Sequence, residues 1–411
     1  MSVAAYHASL QLLFSRRFGT FWFASLLSNI GTWAQQVAQP WLMLSLGASP
    51  FLLGLDSFAL AAPVLLLTLV GGALADSSDR RQTILKFQAL QMLCPIAIVA
   101  LLLTQSAQPW LIIGLSLVVG VTDGLSMPSF QSIVPSIVNK EQIPNGIALN
   151  STQFNLSRIL GPAIAGVLMT SVGAVGAFGL NALSYLPFIL VVLWVLPRGV
   201  AREVDATGFQ WNSLLTNVRA VLKQPVLRGA LLTVMVSSLL CAPLLVFCPV
   251  LVQESFNGDV SHFSLVMGCF GVGGLLGAIA LLGLGAAHDR RPISAGFSIA
   301  YGAILVFVAL LRVDWALPPL FAAAGFAMTM SNTSANTLLQ SVTSSAIRGQ
   351  TVSLFMLVMR GGMALGGLLT GISVSALGVR HALLINGVLA LIAQLGVARF
   401  WLKRPTNAER I

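Results

Sequence analysis

The chain has 411 residues, of which 56% are hydrophobic and only 8% charged. A water-soluble domain carries about 25% charged residues, so an ordinary soluble enzyme or binding module is excluded. The formal net charge of +10 invites a nucleic-acid reading, and the placement of the basic residues decides against it.

The apolar runs lie at roughly 19–46, 51–75, 83–104, 109–127, 146–170, 174–196, 226–253, 262–287, 293–311, 316–340, 350–375 and 381–402. Most reach the ~18–20 residues that a helix needs to cross ~30 Å of hydrocarbon. They are continuously apolar rather than alternating, which selects helices over a barrel. An all-α membrane protein with twelve transmembrane helices is expected, in two pseudo-symmetric bundles of six, residues 1–196 and 226–411. A central loop, 197–225, joins them, with a short interfacial helix expected at Trp211–Leu222.

Arg16, Arg17, Arg80, Arg81, Lys86, Lys140, the group from Arg198 to Arg228, Arg290, Arg291, Arg348 and the group from Arg399 onward fall on one side of these spans. Among loop residues only Arg312 and Arg380 fall on the other. Positive charge marks the cytoplasmic side, so both termini are expected in the cytoplasm. Trp41, Trp110, Trp194, Trp315 and Trp401 stand at expected helix ends, as an interfacial belt requires. The first run is long and lacks a small-residue cleavage site, so no cleavable signal is expected.

The first span carries a polar stripe. Ser25, Ser28, Asn29, Thr32, Gln35, Gln36 and Gln39 share one helical arc, which lipid would not tolerate. The stripe is read as cavity lining in preference to interhelical amide bonding.

Between the second and third spans the chain reads Gly72-Ala73-Leu74-Ala75-Asp76-Ser77-Ser78-Asp79-Arg80-Arg81. This resembles the G-x-L-A-D-x-x-G-R-K loop signature of the major facilitator superfamily, with Ser77 and Asp79 as departures. A latch is expected here, with the Asp76 carboxylate on a helix N-terminus and Arg80 and Arg81 paired with nearby acids. In the fourth span Ser116, Gly120, Asp123 and Met127 share a face. Many proton-coupled members of the superfamily have an arginine where this chain has Ser116. Asp123, the span's only charge, is either a protonatable coupling residue or a partner for Arg80 or Arg158.

The fifth span places Arg158 about halfway along, at a cost of about 2.5–3.5 kcal/mol or more, with Asn155 three residues before it. Ser157, Gly161-Pro162 and Ala165-Gly166 resemble the G-x-x-x-G-P-x-x-G-G motif associated with antiporters. Close backbone approach and a proline-weakened helix would let this segment pack and flex.

The second half repeats the first. Asp79-Arg80-Arg81 recurs as Asp289-Arg290-Arg291, Asp123 aligns with Asn332, and Arg158 corresponds to Arg360, followed by Gly366-Gly367. Thr329, Asn332, Thr333, Asn336 and Gln340 form a second polar arc in the tenth span. Whether the two arginines clamp their own bundles or meet substrate stays open between those two. In the eighth span, Gly271-Val272-Gly273-Gly274 with Gly277 mimics a dinucleotide loop, but no strand precedes it, so helix packing is the reading.

Cys94, Cys241, Cys248 and Cys269 show no CxxC spacing, and His7, His262, His288 and His381 are isolated. No metal, cofactor or disulfide is expected, and no nucleophile-base pair or nucleotide loop points to an enzyme.

Ser28-Asn29-Ile30-Gly31-Thr32-Trp33, Trp41-Leu42, Ser49-Pro50 and Gly54-Leu55 look like the exporter branch of the superfamily that contains enterobactin exporters and macrolide-efflux-type permeases. The resemblance implies the major facilitator fold in a multi-pass protein of the bacterial inner membrane. It also implies export of a drug or siderophore-like compound by alternating access, usually by proton antiport, with the site between the halves. Substrate-cavity residues are then expected at Asn29, Thr32, Gln35, Gln36, Gln39, Ser116, Asp123, Asn332 and Asn336. Asp123 would couple protons, and Asp76, Arg80, Arg81, Arg158, Gly161, Pro162 and Arg360 would gate. The expected partners are a small-molecule substrate, protons and the lipid bilayer, with no nucleic acid, for a chain functional as a monomer. The competing expectations are a nutrient or anion importer or facilitator, and a non-transporting membrane partner or sensor.

Overall fold

The computed structural model describes residues 11–131, 133–196, 223–283, 288–343 and 348–402. Trp211–Leu222 lies outside the described residues, as do the side chains of Asp76 and Asn155.

The long helices are α1 (Phe18–Ser45), α2 (Pro50–Ser77), α3 (Arg80–Leu103), α4 (Pro109–Gln131), α5 (Ile143–Ser171) and α6 (Ala174–Val195). After the central segment come α7, α8 (Val260–Gly283), α9 (Arg290–Leu310), α10 (Leu317–Val342), α11 (Arg348–Leu377) and α12 (Val379–Trp401). The α7 element is broken: Pro225–Val236 leads into a π-helical turn, Ser237–Cys241, then Pro243–Val246 and Cys248–Phe256. Among the described residues, nine helical stretches are long and apolar enough to cross a membrane. The α1, α5 and α10 helices are not among them despite lengths of 28, 29 and 26 residues. Amides, hydroxyls and Arg158 spread along these three helices lower the hydropathy of their spans.

Two compact units emerge. One is drawn from Met1–Ala48, Ala59–Asp205 and Asp259–Gly268, the other from Ser49–Phe58, Ala206–Gly258 and Cys269–Ile411. Within the first, α1 packs on α5 and α6, and α3 packs on α4 and α6. Within the second, α7 packs on α11 and α12, and α9 packs on α10 and α12. The internal repeat seen in the sequence is therefore a repeat of packing partners.

Each unit's third helix starts the same way. Asp79 accepts a hydrogen bond from the Arg81 backbone N–H at 2.9 Å, and Asp289 accepts one from Arg291 N–H at 3.0 Å. Both acids have extended backbone, as N-caps do. Arg291 also pairs with Asp289 at 2.9 Å. Burial pushes the Asp289 carboxyl up, and the hydrogen bonds and charge of Arg291 more than offset this, holding it below its ordinary value. Arg81 differs from expectation: its Nη2 donates to the Leu193 carbonyl at 2.6 Å, an open acceptor in the last turn of α6.

Two segments pack with a unit other than that of the helix they begin. The first turns of α2 lie on α11, where Phe51 N–H donates to Ser375 Oγ at 3.1 Å. A Cβ on Gly54 would stand 2.5 Å from the Gly367 carbonyl oxygen. The start of α8 lies on α1, where the Phe263 and Trp41 rings stack at 5.0 Å. The expected tryptophan belt is only partly realised. Trp110, Trp194 and Trp315 are exposed, whereas Trp401 is buried in the core of the second unit, with Gly229 making room for its ring.

Arg380 closes the second unit at one end. Its guanidinium donates to the Leu311 carbonyl at 2.5 Å and to Ser255 O at 3.5 Å, and lies 5.2 Å from the Phe256 ring centroid. It thus joins the last carbonyls of α7 and the residue after α9.

The glycine run of the eighth span is interior helix, in line with the packing reading. A Cβ on Gly273 would fall on the backbone of Ala322 in α10, whereas Gly268 of the same helix faces open space. Gly273→Ala is expected to destabilise by about 1–3 kcal/mol through overpacking, while Gly268→Ala is expected to leave stability unchanged or slightly raised. Thermal unfolding in detergent compares the two; equal melting temperatures would remove the close α8–α10 crossing.

Candidate functional site

A seam of hydrogen-bonded polar side chains runs through the first unit. On α6, Asn181 Nδ2 donates to Gln35 Oε1 on α1 at 2.6 Å, and Gln35 Nε2 donates to Gln39 Oε1 at 3.2 Å. Gln39 Nε2 in turn donates to Ser116 Oγ on α4 at 2.8 Å. Deeper along α4, Asp123 accepts from Gln91 Nε2 of α3 at 2.7 Å, and the same amide reaches Thr122 Oγ1 at 3.0 Å. Gln88 Nε2 donates to Gln91 Oε1 at 2.7 Å. Tyr185 of α6, one turn beyond Asn181, is itself buried. Four helices are thus tied by side chains that lipid could not solvate.

The polar stripe of α1 divides accordingly. Gln35 and Gln39 are bonded to neighbouring helices, and Thr32 Oγ1 donates back to Ser28 O at 3.1 Å. Asn29 is half-buried and Gln36 exposed. Asp123 has a buried amide partner, Gln91, that neither sequence reading of this acid named.

Arg158 lies against α1. Its guanidinium is 5.7 Å from the Trp33 ring centroid, and Phe154 meets the same ring edge-on at 5.9 Å. One turn on, a Cβ at Gly161 would strike Trp33 Cβ, so α5 approaches α1 as closely as glycine permits. Pro162, also buried, removes one backbone N–H inside that contact. A cation over an indole face gains about 0.5–2 kcal/mol, a partial offset for placing the charge in the helix.

The second unit has a related arrangement on α7 and α11. Arg360 is half-buried on α11. A Cβ on Gly362 would stand 2.8 Å from Ser238 Cβ, and one on Gly366 would strike the Leu239 carbonyl. Both neighbours belong to the π-helical turn of α7. Tyr301 donates to the Cys241 carbonyl of that turn at 3.2 Å, and Gln394 Nε2 donates to Thr233 O at 3.0 Å and Ser237 Oγ at 3.1 Å. These groups satisfy a helix whose regular ladder is interrupted. On α10, Asn336 accepts from Gln340 at 3.1 Å, and the Asn332 side-chain oxygen is buried without a hydrogen-bond partner among the described residues.

Long helices of two repeated units, carrying buried amides and half-buried arginines, are the architecture of a membrane carrier. A model of the transmembrane secretion effector family matches residues 8–410. The chain belongs to this family of major facilitator transporters. Its similarity to the staphyloferrin A transporter of Staphylococcus aureus is 24% identity, over 90% of this chain and 92% of that one. The multidrug efflux pump Tap of Mycolicibacterium fortuitum is 24% identical over 93% of this chain and 94% of its own. The enterobactin exporter EntS of Shigella boydii is 25% identical over 93% of each. Among solved structures, the nucleoside transporter NupG matches with a TM-score of 0.71 at 15% identity, over 95% of this chain and all of that one. A bacterial homologue of the human lysosomal transporter Spinster gives 0.69 at 15% identity, over 99% of this chain. These structures show the shared fold; membership of the family makes the chain a transporter and not an enzyme.

In this family member the chemically distinctive groups missed by the sequence reading are Gln88, Gln91, Asn181, Tyr185 and Asp56. Asp56 is only 7% exposed, an acid buried in the second turn of α2. A lone carboxylate inside the run 51–75 was the available signal for it. The pairs Gln88/Gln91 and Asn181/Ser184, spaced one helical turn apart in apolar runs, were the signal for the seam.

Gln91→Leu is expected to destabilise the first unit by about 1–3 kcal/mol, because Gln88 and Asp123 both lose a buried partner. In a double-mutant cycle with Asp123→Asn, the loss is expected to be non-additive. Additive unfolding free energies would show that the two side chains are not coupled.

Proposed function

We propose that the chain exports a small organic compound, a drug or siderophore-like metabolite, across the bacterial inner membrane by alternating access in exchange for protons. The observation that carries this reading is the alignment, over nine-tenths of both chains, with proteins named for efflux and for siderophore transport. The seam of the first unit supplies the chemistry. Asp123 is a protonatable group inside a membrane-length helix, and such groups mark proton pathways. Its Gln91 partner carries both a donor and an acceptor, so it offers a hydrogen bond to the carboxylate and, after rotation, to the carboxylic acid. The polar faces of α1 and α10 are the proposed substrate contacts, at Asn29, Thr32, Gln35, Gln36, Gln39, Ser116, Asn332 and Asn336. Asp76, Arg80, Arg81, Arg158, Gly161, Pro162 and Arg360 are the proposed gating residues.

Two bundles, 1–196 and 226–411, are proposed to rock about the substrate with both termini cytoplasmic, and the chain to work as a monomer. The support is the sequence repeat, the repeated packing partners and the one-sided placement of basic residues.

The test is transport in inverted vesicles under an imposed pH gradient, with a panel of siderophores and drugs. Asp123→Asn is expected to abolish gradient-driven transport while leaving membrane insertion intact. Full gradient dependence in that variant removes Asp123 as the coupling acid, and its loss in Asp56→Asn instead would move the role to Asp56. Net uptake by intact cells would overturn the direction and favour an importer.

A further inference from the structure

We propose that the cleft where α1 begins and α6 ends binds the phosphate head group of an anionic phospholipid. This rests on the reading that the chain sits in a bilayer, and not on the direction or coupling of transport.

The cleft measures about 320 Å³ and is lined by Arg16, Arg17, Trp194 and Val195. That volume lies at the lower end of small-ligand sites, which run to about 300–1,000 Å³, and suits a head group rather than a whole lipid. Both arginines are exposed, yet the turn presenting them is fixed from either side. Leu12 is 4% exposed and Phe18 fully buried, both in the core cluster with Ile84, Val192 and Leu196. Ser15 N–H donates to Leu12 O at 3.1 Å, Gly19 N–H donates to Ser15 O at 2.9 Å, and Thr20 Oγ1 donates to Arg16 O at 2.8 Å. The backbone that presents both guanidinium groups is thus positioned by the fold rather than carried on a loose tail.

Trp194 supplies the second recognition element. Arg16 lies 5.4 Å from its ring centroid, which orients the guanidinium while leaving its N–H groups free to meet an anion. Arg81 holds the Leu193 carbonyl next to it in the chain and adds a third positive charge to this end of the unit. No ion pair to Arg16 or Arg17 forms among the described residues. Arginine forks match phosphate oxygens bidentately, and basic pockets between transmembrane helices on the cytoplasmic side bind anionic lipid heads. Beside the arginines stand apolar groups for the acyl chains: Phe14 is 76% exposed, Trp194 53%, and Leu190 and Leu193 are exposed on the same end of α6. Charge next to exposed aromatic and aliphatic surface selects an amphiphile over a free phosphate ion.

The full-length protein, purified in detergent, is titrated with phosphatidylglycerol or phosphatidylethanolamine and read by native mass spectrometry. Wild type is expected to retain phosphatidylglycerol at least about tenfold more strongly. Arg16→Gln/Arg17→Gln should lose that preference, and Arg16→Lys/Arg17→Lys, which keeps the charge without the bidentate fork, should retain only part of it. Trp194→Ala leaves the charges in place and is expected to weaken retention several-fold without lowering the melting temperature; it also decides the matter should the double glutamine variant fail to insert. Unchanged preference in the glutamine or the alanine variant overturns the proposal. Displacement of the lipid by millimolar inorganic phosphate also overturns it, by assigning the cleft to a soluble anion. Because retention is read without transport, a chain that fails to export yet keeps the lipid leaves this inference standing and removes only the export reading.

Discussion

Hydrocarbon offers no hydrogen bonds, and that constraint shapes every part of this protein. Backbone groups are satisfied by making each long segment a helix. Side-chain amides and acids are satisfied by one another, so polar residues on different helices must meet. The contacts from Asn181 through Gln35 and Gln39 to Ser116, and from Gln88 through Gln91 to Asp123, are the result. The same constraint governs α7, where the π-helical turn is bracketed by Tyr301 and Gln394 rather than left open. In a low-dielectric interior such networks bind strongly when complete and cost heavily when broken. They hold helices in register more specifically than apolar packing does.

A second layer of order comes from how closely backbones approach. In the first unit Gly161 lets α5 meet α1 at Trp33, and Arg158 covers the same ring. In the second, Gly362 and Gly366 let α11 meet α7 at its interrupted turn. The fifth helix of each repeat thus reaches the first through small residues, with an arginine close by in sequence. One design serves two different neighbours: an indole in one unit and an irregular backbone in the other.

The helices and their repeat were plainly legible, because uninterrupted apolar runs and a duplicated Asp-Arg-Arg are one-dimensional signals. The polar stripe of α1 was equally visible, but periodicity reports that a face is polar, not who sits opposite. Gln35 and Gln39 bond to Asn181 and Ser116, residues far along the chain, so only folding reveals the pairing. For the same reason Asp123 drew attention to arginines, while its amide partner Gln91 escaped notice. Asp56 was hidden by its surroundings, one acid within a strongly apolar run. The π-helical turn of α7 leaves no compositional mark beyond the prolines that follow it. Trp401 shows the opposite error: a residue at a helix end fits an interfacial belt, yet a facing glycine draws it into the core.

The paired caps at Asp79 and Asp289 bear on how the chain is made. Each cap joins a side chain to a backbone N–H two residues later, so it needs nothing from any other helix. Such a turn closes in well under a microsecond to microseconds, while synthesis adds only about 5–20 residues per second. The start of α3, and later that of α9, therefore needs no partner beyond its own turn, and it is held once enough of its helix has formed to propagate. Long-range contacts such as Gln39 to Ser116 must wait for their partners to emerge. The sequence spacing of the bonds thus separates two kinds of contact: caps that need only neighbouring residues, and polar seams whose partners must first emerge.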